Sequence, residues 1–167
     1  MALILIADDD EIVIQVVQDA LSARGHAVGA VDDGLKVLSV VEFKRPALVI
    51  LDCMMAEVSG IEALRQIRSS RTCYATPVLM LTARCGEADE EIAMRHGADD
   101  YLRKPFGPDQ LVARVERLIT RAEQRGRAAT APSYRPDWMR ARCAGVRDRL
   151  HPGATTRAPV IRPNGQF

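Results

Sequence analysis

The stretch Ala47-Leu48-Val49-Ile50-Leu51-Asp52 decides how the rest of this chain can be interpreted. It is an apolar run of the length of one strand, and it ends in a carboxylate. A continuous apolar run is typical of a strand buried on both faces, as in a parallel sheet that helices cover. The last residue of such a strand lies at the carboxyl edge of the sheet, where open α/β folds bind ligands. We therefore expect Asp52 to lie at a functional edge.

Strand-like and helix-like patterns alternate on both sides of this stretch. Short aliphatic runs predict five strands, at about residues 3–7, 27–31, 47–52, 78–82 and 101–102. Amphipathic spacing predicts a helix after each of them, at about residues 11–24, 35–42, 61–70, 88–96 and 108–123. This alternation indicates an α/β fold, a (βα)5 doubly wound parallel sheet. Right-handed crossovers favour the flavodoxin-like strand order 2-1-3-4-5.

Two of these helices have a distinct apolar face. In the first helix, the residues expected to face the sheet are Ile12, Val13, Val16, Val17, Ala20 and Leu21. In the last helix, they are Leu111, Val112, Val115, Leu118 and Ile119. Both helices are expected to pack on the sheet through these faces.

The composition is that of a globular protein with one core. The chain has 167 residues, of which 47% are hydrophobic and 27% are charged, which suits one domain and a short appendage. No apolar stretch approaches about 18 residues, and the N-terminus enters a strand pattern without a basic start. We therefore expect a cytoplasmic protein with no membrane partner. The cysteines lack metal or disulfide spacing and are expected to be reduced: Cys53, Cys73, Cys85 and Cys143.

The charge is divided between two regions. Residues 1–120 carry 13 basic and 19 acidic side chains, whereas residues 121–167 carry 10 arginines and 3 acids. We assign residues 1–123 to one domain and residues 124–167 to a basic, mostly disordered Arg/Pro-rich tail. Within the tail, helical spacing is seen only at residues 137–150. The charge of the tail is suited to nucleic acid, although no DNA-binding motif accompanies it.

Three carboxylates are expected at one edge of the sheet. Asp8 and Asp9 follow the first strand, and Asp52 ends the third, so the strand order places them on either side of the switch point. Carboxylates held this close resist joint ionisation unless a cation relieves them. Because no Cys or His accompanies them, the oxygen-seeking Mg²⁺ is the expected cofactor. A carboxylate beside Mg²⁺ can act as a nucleophile in phosphoryl transfer and form an aspartyl-phosphate.

Two further strand ends carry groups that suit this chemistry. Thr82 ends the fourth strand and offers a hydroxyl to a phosphoryl oxygen. Lys104 follows the fifth strand and supplies a cation against the charge of the phosphoryl group. An acid pair after a strand is by itself more often a helix cap. The four consecutive strand ends together indicate a phosphoryl-transfer site.

These residues resemble the receiver domain of a two-component response regulator over about residues 2–123. The motifs that carry the resemblance are Ile6-Ala7-Asp8-Asp9-Asp10, Asp52-Cys53-Met54-Met55 with Gly60, Leu81-Thr82-Ala83, and Lys104-Pro105-Phe106. Two positions depart from the usual pattern, because Ala56 replaces a proline and Ser59 replaces an acid. Neither departure removes a reacting group.

The resemblance implies a role for each site residue. Asp52 is the phosphoacceptor, Lys104 holds the phosphoryl group, and Thr82 and Tyr101 form the switch pair. The implied Mg²⁺ ligands are Asp8, Asp9, Asp52 and the backbone carbonyl of Met54. The phosphodonor is a histidine kinase or a phosphotransfer protein, and the output is contact with a downstream effector protein. The protein is then a signalling phosphoacceptor that catalyses only its own phosphorylation and dephosphorylation, not an enzyme in the usual sense.

The segments 97–102 and 111–115 resemble the winged-helix transcription-factor subfamily, although residues 124–167 are too few for that output domain. Members of that group form homodimers through helix 4, strand 5 and helix 5. The residues suited to the intersubunit ion pairs are Asp99, Asp100, Arg114 and Arg121. Gln110 stands where an acid is usual and Glu90 where a base is usual, so one pair is missing.

Two other functions are consistent with parts of the sequence. The first is a nucleic-acid-binding transcriptional regulator that uses the basic tail. The second is a haloacid-dehalogenase-type phosphatase, but that chemistry needs an acid two residues after the nucleophile, where this chain has Met54. The cognate kinase, the regulated process and the lifetime of the phosphate are not encoded in any motif.

Overall fold

The computed structural model describes residues 1–83 and 87–130, so the tail helix predicted at 137–150 lies outside the described residues. Within them, five strands form one sheet, in which every neighbouring pair is parallel. The strands are β1 (Leu3–Ala7), β2 (Ala27–Val31), β3 (Leu48–Asp52), β4 (Val78–Thr82) and β5 (Asp100–Arg103). Their order is β2-β1-β3-β4-β5, which confirms the flavodoxin-like order expected from the sequence.

A helix follows each strand in the described part of the chain. The helices are α1 (Glu11–Ser22), α2 (Gly34–Lys44), α3 (Gly60–Ser69), α4 (Glu87–Arg95) and α5 (Pro108–Thr130). Helix α4 stops before Gly97, whose φ of +97° lies in the left-handed region that glycine adopts without strain. None of the described helices is both long enough and apolar enough to cross a bilayer.

Helix α5 is longer than the sequence pattern indicated. It was predicted to end near residue 123, but it continues to Thr130. Its apolar face ends at Ile119, yet the next residues include good helix formers, and the first proline comes only at position 132. The first compact unit of the chain accordingly runs from Met1 to Ala131. The predicted boundary between residues 123 and 124 therefore falls inside a helix.

The sheet is covered on both faces, as its apolar central strands require. On one face, α1 and α5 pack against the side chains of Ile4, Ile6, Ile50, Leu79 and Leu81. On the other face, α2, α3 and α4 pack against those of Leu5, Ala7, Val49, Leu51 and Met80. All five residues of β3 and of β4 are buried. Each large aliphatic side chain buried in this way contributes about 1.5–3 kcal/mol to the free energy of folding. This burial holds the sheet, and with it the edge that bears Asp52, in place.

The apolar face of α5 is buried as predicted, but that of α1 is buried only in part. All five apolar residues named for α5 are buried. In α1, Val17 and Leu21 are fully buried, whereas Ile12 is 75% exposed and Val16 is 39% exposed. The prediction was too broad because a helix lying on a sheet buries a narrower stripe than the whole apolar arc. Two aliphatic side chains are consequently left on the surface of α1.

Candidate functional site

The strand register brings the ends of β1 and β3 side by side. Ala7 pairs with Leu51, so the next residues, Asp8 and Asp52, are neighbours at the carboxyl edge. Asp8 is completely buried and Asp52 is 4% exposed. Thr82 ends β4 and is also buried. Buried polar groups are almost always hydrogen-bonded. The partners of these three side chains therefore determine what the edge can bind.

Lys104 joins the two buried carboxylates. Its Nζ donates to Asp8 Oδ2 at 2.7 Å and lies 2.8 Å from Asp52 Oδ1. Burial alone would lower the pKa of the ammonium, but hydrogen bonds and charges from Asp52 and Asp8 outweigh it and raise that pKa. Burial also raises the pKa of the Asp8 carboxyl, which hydrogen bonds from Lys104 and the Asp10 N–H offset only in part. Lys104 is thus held as a cation between two acids.

Asp9 completes a cluster of three carboxylates. Asp8, Asp9 and Asp52 each offer an oxygen, and these oxygens lie within 4.8 Å of one another. Asp9 is exposed, so the cluster opens to solvent. Three carboxylates face one ammonium, which leaves an excess of negative charge. Clustered carboxylate oxygens without sulfur or imidazole fit Mg²⁺, a hard cation that keeps several waters.

Backbone N–H groups orient each carboxylate without using all its lone pairs. The N–H of Asp10 donates to Asp8 Oδ1 at 3.0 Å, and the N–H of Met54 donates to Asp52 Oδ2 at 2.8 Å. The N–H of Ala56 donates to Asp9 Oδ2 at 3.3 Å. Each carboxylate oxygen can accept two hydrogen bonds. The cluster therefore retains acceptor capacity for a metal ion or a phosphoryl group.

The loop after Asp52 is shaped by a close approach at Gly60. A Cβ at this position would lie 2.0 Å from the backbone oxygen of Asp52, so no other residue fits without displacing the loop. The N–H of Gly60 donates to the carbonyl of Cys53 at 3.3 Å. Glu57, in the same loop, has a φ of +62°, which costs energy for a residue with a side chain. The loop is thus held tightly against the end of β3.

The two residues expected to form a switch pair lie on neighbouring strands. Thr82 ends β4, and Tyr101 lies in β5 opposite Met80. Tyr101 is half-buried, and the Arg114 guanidinium lies 6.0 Å from the centre of its ring. The side chain of Met54 is 59% exposed beside the acids. The switching role of Thr82 and Tyr101, and that of the Met54 carbonyl as a metal ligand, remain predictions.

The acids expected to pair between subunits have partners within the chain. Asp100 is buried and pairs with Arg114 at 2.9 Å and with Arg117 at 2.5 Å. Asp99 pairs with Arg68 at 2.9 Å and with Arg125 at 3.5 Å. An intersubunit pair would therefore have to replace an existing one. The sequence analysis missed three of these partners because no local pattern links arginines on α3 and α5 to the start of β5: Arg68, Arg117 and Arg125.

An apolar groove borders the acid cluster and was also missed. It has a volume of about 450 Å³ and includes Ile12, Val13, Val16, Phe106 and the stem of Lys104 in its lining. We call it the α1 groove. It forms because the two aliphatic residues that α1 leaves exposed lie beside the Lys104-Pro105-Phe106 segment. The i, i+4 spacing of Ile12 and Val16 was visible in the sequence but was interpreted as core.

A five-stranded parallel sheet with three acids, a threonine and a lysine at its carboxyl edge defines a receiver domain. The comparison with known families agrees. Residues 4–116 match the response regulator receiver domain, and the chain belongs to this family of two-component signalling domains. Such domains are phosphoacceptors that bind Mg²⁺ at their acidic site and interact with histidine kinases and effector domains. They are not conventional enzymes.

Relatives of known name support the assignment. The chain is 38% identical over 120 residues to the alkaline phosphatase synthesis transcriptional regulatory protein PhoP of Bacillus subtilis, covering 72% of this chain and 49% of that protein. It is 38% identical over 134 residues to the response regulator MprA of Mycobacterium sp. strain KMS, covering 80% and 54%. The chain thus spans about half the length of the curated relatives that it matches.

Solved structures show the same fold. A putative response regulator from Chloroflexus aurantiacus has a TM-score of 0.69 and 29% identity, and the match covers 71% of this chain and 98% of that one. The receiver domain of the sensor histidine kinase PA1611 from Pseudomonas aeruginosa has a TM-score of 0.67 and 29% identity, with the same coverage. That structure holds a magnesium ion in its active site cleft.

Proposed function

We propose that this protein is a phosphorelay response regulator in which Asp52 accepts a phosphoryl group from a histidine kinase or a phosphotransfer protein. The observation that carries the proposal is the position of Asp52: it is buried at the strand end, 2.8 Å from the Lys104 ammonium and within a cluster of three acids. The function belongs in the cytoplasm, where such kinases present their phosphohistidine. The modified protein then signals by contact with a downstream effector protein.

The transfer itself needs little covalent chemistry from the protein. An oxygen of the Asp52 carboxylate forms a bond to phosphorus while the bond from phosphorus to the donor's imidazole nitrogen breaks, and that nitrogen keeps the electron pair and takes a proton from the solvent. The Met54 N–H holds Asp52 Oδ2. Lys104 turns its ammonium to the phosphoryl oxygens, and the Thr82 hydroxyl donates to one of them. Positioning and charge supply the rate enhancement.

The acid cluster would hold the metal that this reaction needs. The residues in place are Asp8, Asp9 and Asp52, with the backbone carbonyl of Met54 as a further oxygen. Bound Mg²⁺ would offset the negative charge that the carboxylates and the phosphoryl group bring together. Asp8 already accepts from Lys104 and from the Asp10 N–H, so its position is fixed before any ion arrives.

The output follows from repacking at β4 and β5. When Thr82 moves toward the phosphoryl group, it leaves space into which Tyr101 turns. Tyr101 then leaves the face of the Arg114 guanidinium, and the surface formed by α4, β5 and α5 changes. This surface is where an effector, or a second copy of the chain in a homodimer, would distinguish the two states.

The α1 groove supports the docking of a protein phosphodonor. A site that reacted only with small molecules would have no need of exposed Ile12 and Val16, with the half-buried Phe106, beside Lys104. Apolar patches next to a polar site are typical of protein contacts. A partner protein that buries these side chains then presents its phosphohistidine to Asp52.

The test is phosphorylation of the full chain by a small-molecule phosphodonor, followed by intact mass. With Mg²⁺, the wild type is expected to gain one phosphate that is labile to base. Asp52→Asn is expected to gain none. Asp33→Asn is the matched control, because Asp33 is the N-cap residue of α2, outside the acid cluster, and asparagine also serves as an N-cap; it should be modified like the wild type.

Three results would count against the proposal. If the folded wild type stays unmodified with every donor in the presence of Mg²⁺, the protein is not a phosphoacceptor. Equal modification of Asp52→Asn and the wild type would move it to another residue. If the extent of phosphorylation is unchanged after Mg²⁺ is chelated, the reaction does not need the metal.

A further inference from the structure

Four arginines form a continuous stripe along α5. Arg114, Arg117, Arg121 and Arg125 follow one another at spacings of three, four and four residues, so they share one face of the helix. We call them the arginine ridge. At a rise of about 1.5 Å per residue, the ridge is about 16 Å long. Its face is not the apolar face that packs on the sheet.

The ridge carries more positive charge than its acidic partners neutralise. Asp100 pairs with Arg114 and Arg117, and Asp99 pairs with Arg125 and with Arg68 of α3. Each carboxylate therefore faces two guanidinium groups. The pairs hold the arginines in place without exhausting them, because each guanidinium has five N–H donors in a planar fork.

The outer parts of the ridge are open. The side chain of Arg117 is 55% exposed, and that of Arg125 is 67% exposed. Arg121 is exposed as well and has no ion-pair partner among the described residues. Guanidinium groups that are anchored on one side and open on the other are already ordered for an incoming anion.

Two surface depressions flank the ridge and repeat the same arrangement. One, of about 590 Å³, includes Arg103, Arg114 and Arg117 in its lining. The other, of about 450 Å³, includes Arg68, Arg121 and Arg125. Each depression has three guanidinium groups around it. Together they offer successive places for anionic groups along one line.

We infer that the arginine ridge binds the phosphate backbone of a nucleic acid without reading its sequence. A planar guanidinium matches a phosphate bidentately. The described part of α5 exposes no large apolar side chain, so the contacts that the ridge itself can offer are those of charge and hydrogen bonding. After the ridge, the sequence continues with eight more arginines and two acids in residues 126–167. A long cationic run suits a long polyanion and disfavours a short acidic segment. This inference does not depend on phosphorylation of Asp52.

The test measures binding of the full, unphosphorylated chain to a fluorescein-labelled 20-base-pair DNA duplex by fluorescence anisotropy, from 50 to 200 mM NaCl. The variant R117Q/R121Q removes two ridge charges and keeps Arg114 on Asp100. Each neutralised phosphate contact contributes about 0.9 to the slope of log K against log salt concentration. The slope of the variant is expected to be shallower by about 2, equally for two unrelated duplex sequences.

The matched control removes the same charge from α2. K36Q/K44Q is expected to keep the wild-type slope, and circular dichroism shows whether both variants are folded. A wild type that does not bind the duplex, or a ridge variant with the wild-type slope, would overturn the inference. Polyglutamate of the same charge that binds as tightly as the duplex would also overturn it, in favour of an acidic protein. The phosphorylation assay gives its own result in either case.

Discussion

The two ends of the sheet carry ion-pair clusters of opposite design. At the carboxyl end, three carboxylates share one ammonium, and the cluster opens to solvent at Asp9. At the amino end, the Arg68 guanidinium donates to Asp99 and to three backbone carbonyls, those of Tyr74, Thr76 and Gly97. Asp99 in turn accepts from the N–H of Val78, the first residue of β4.

The difference shows how to tell a structural ion pair from a binding site. At the amino end, Asp99 faces the guanidinium groups of Arg68 and Arg125, and the donors of Arg68 are matched with acceptors from several elements, so the cluster stabilises the fold. Burial lowers the pKa of Arg68, and the nearby Asp99 opposes this shift. At the carboxyl end, the charges do not balance and acceptor capacity remains. Unbalanced, incompletely paired charge at a buried edge indicates a ligand.

The largest effect is expected from removing Arg68, which tests whether the amino-end cluster stabilises the fold. We expect Arg68→Ala to lower the free energy of unfolding by about 3 kcal/mol, because it leaves partly buried acceptors without a donor. Urea denaturation followed by circular dichroism measures the change. Arg65→Ala, an exposed arginine of the same helix, should cost less than about 1 kcal/mol. Equal effects of the two substitutions would mean that the amino-end cluster is not structural.

Magnesium should act at one end only. At a concentration 100 times its dissociation constant, Mg²⁺ is expected to stabilise the wild type by about 2.7 kcal/mol. The same gain is expected in Arg68→Ala, because distant sites contribute independently. The double variant D8N/D9N should lose it. Thermal or urea unfolding with and without Mg²⁺ is the measurement, and a wild type that Mg²⁺ does not stabilise would speak against an ion at this cluster.

The smallest expected effect is the change in the free energy of unfolding when one aspartate is replaced by asparagine. This change should have opposite signs at the two ends of the sheet. Without Mg²⁺, Asp9→Asn relieves repulsion among three acids and is expected to raise the free energy of unfolding by up to about 1 kcal/mol. Asp99→Asn makes the same chemical change at the amino-end cluster, where the carboxylate is paired with arginines, and is expected to lower the free energy of unfolding. The two variants are compared in one urea series. A loss of stability in both would show that the acid excess carries no strain.

The sequence was sufficient for the fold and for the location of the acids. The run that ends in Asp52 and the five alternations of strand and helix determine the sheet order, because right-handed crossovers leave few arrangements. The acids at the ends of β1 and β3 follow from that order. Lys104 could be placed for the same reason, since it directly follows the fifth strand. These inferences depend only on position along the chain.

Long side chains that reach between elements could not be placed in this way. Arg68 meets Asp99 from 31 residues away, and its direction depends on how α3 packs. Asp99 and Asp100 were assigned to contacts between subunits from the family resemblance, and their arginine partners within the chain were not recognised. The exposure of Ile12 and Val16 was missed because periodicity does not show how wide a stripe the sheet covers. The extension of α5 past its apolar face likewise has no periodic signal.

Gly60 is required for the shape of the loop at the site but takes no part in its chemistry. The space between this residue and the oxygen of Asp52 admits a hydrogen atom but not a methyl group. That restriction comes from the backbone of the loop and is the same whatever side chain stands at position 52. A descendant of this protein that had lost its carboxylates would still need the glycine to fold its loop. In a sequence survey, the glycine would therefore diagnose ancestry, and only the acids and the lysine would diagnose activity.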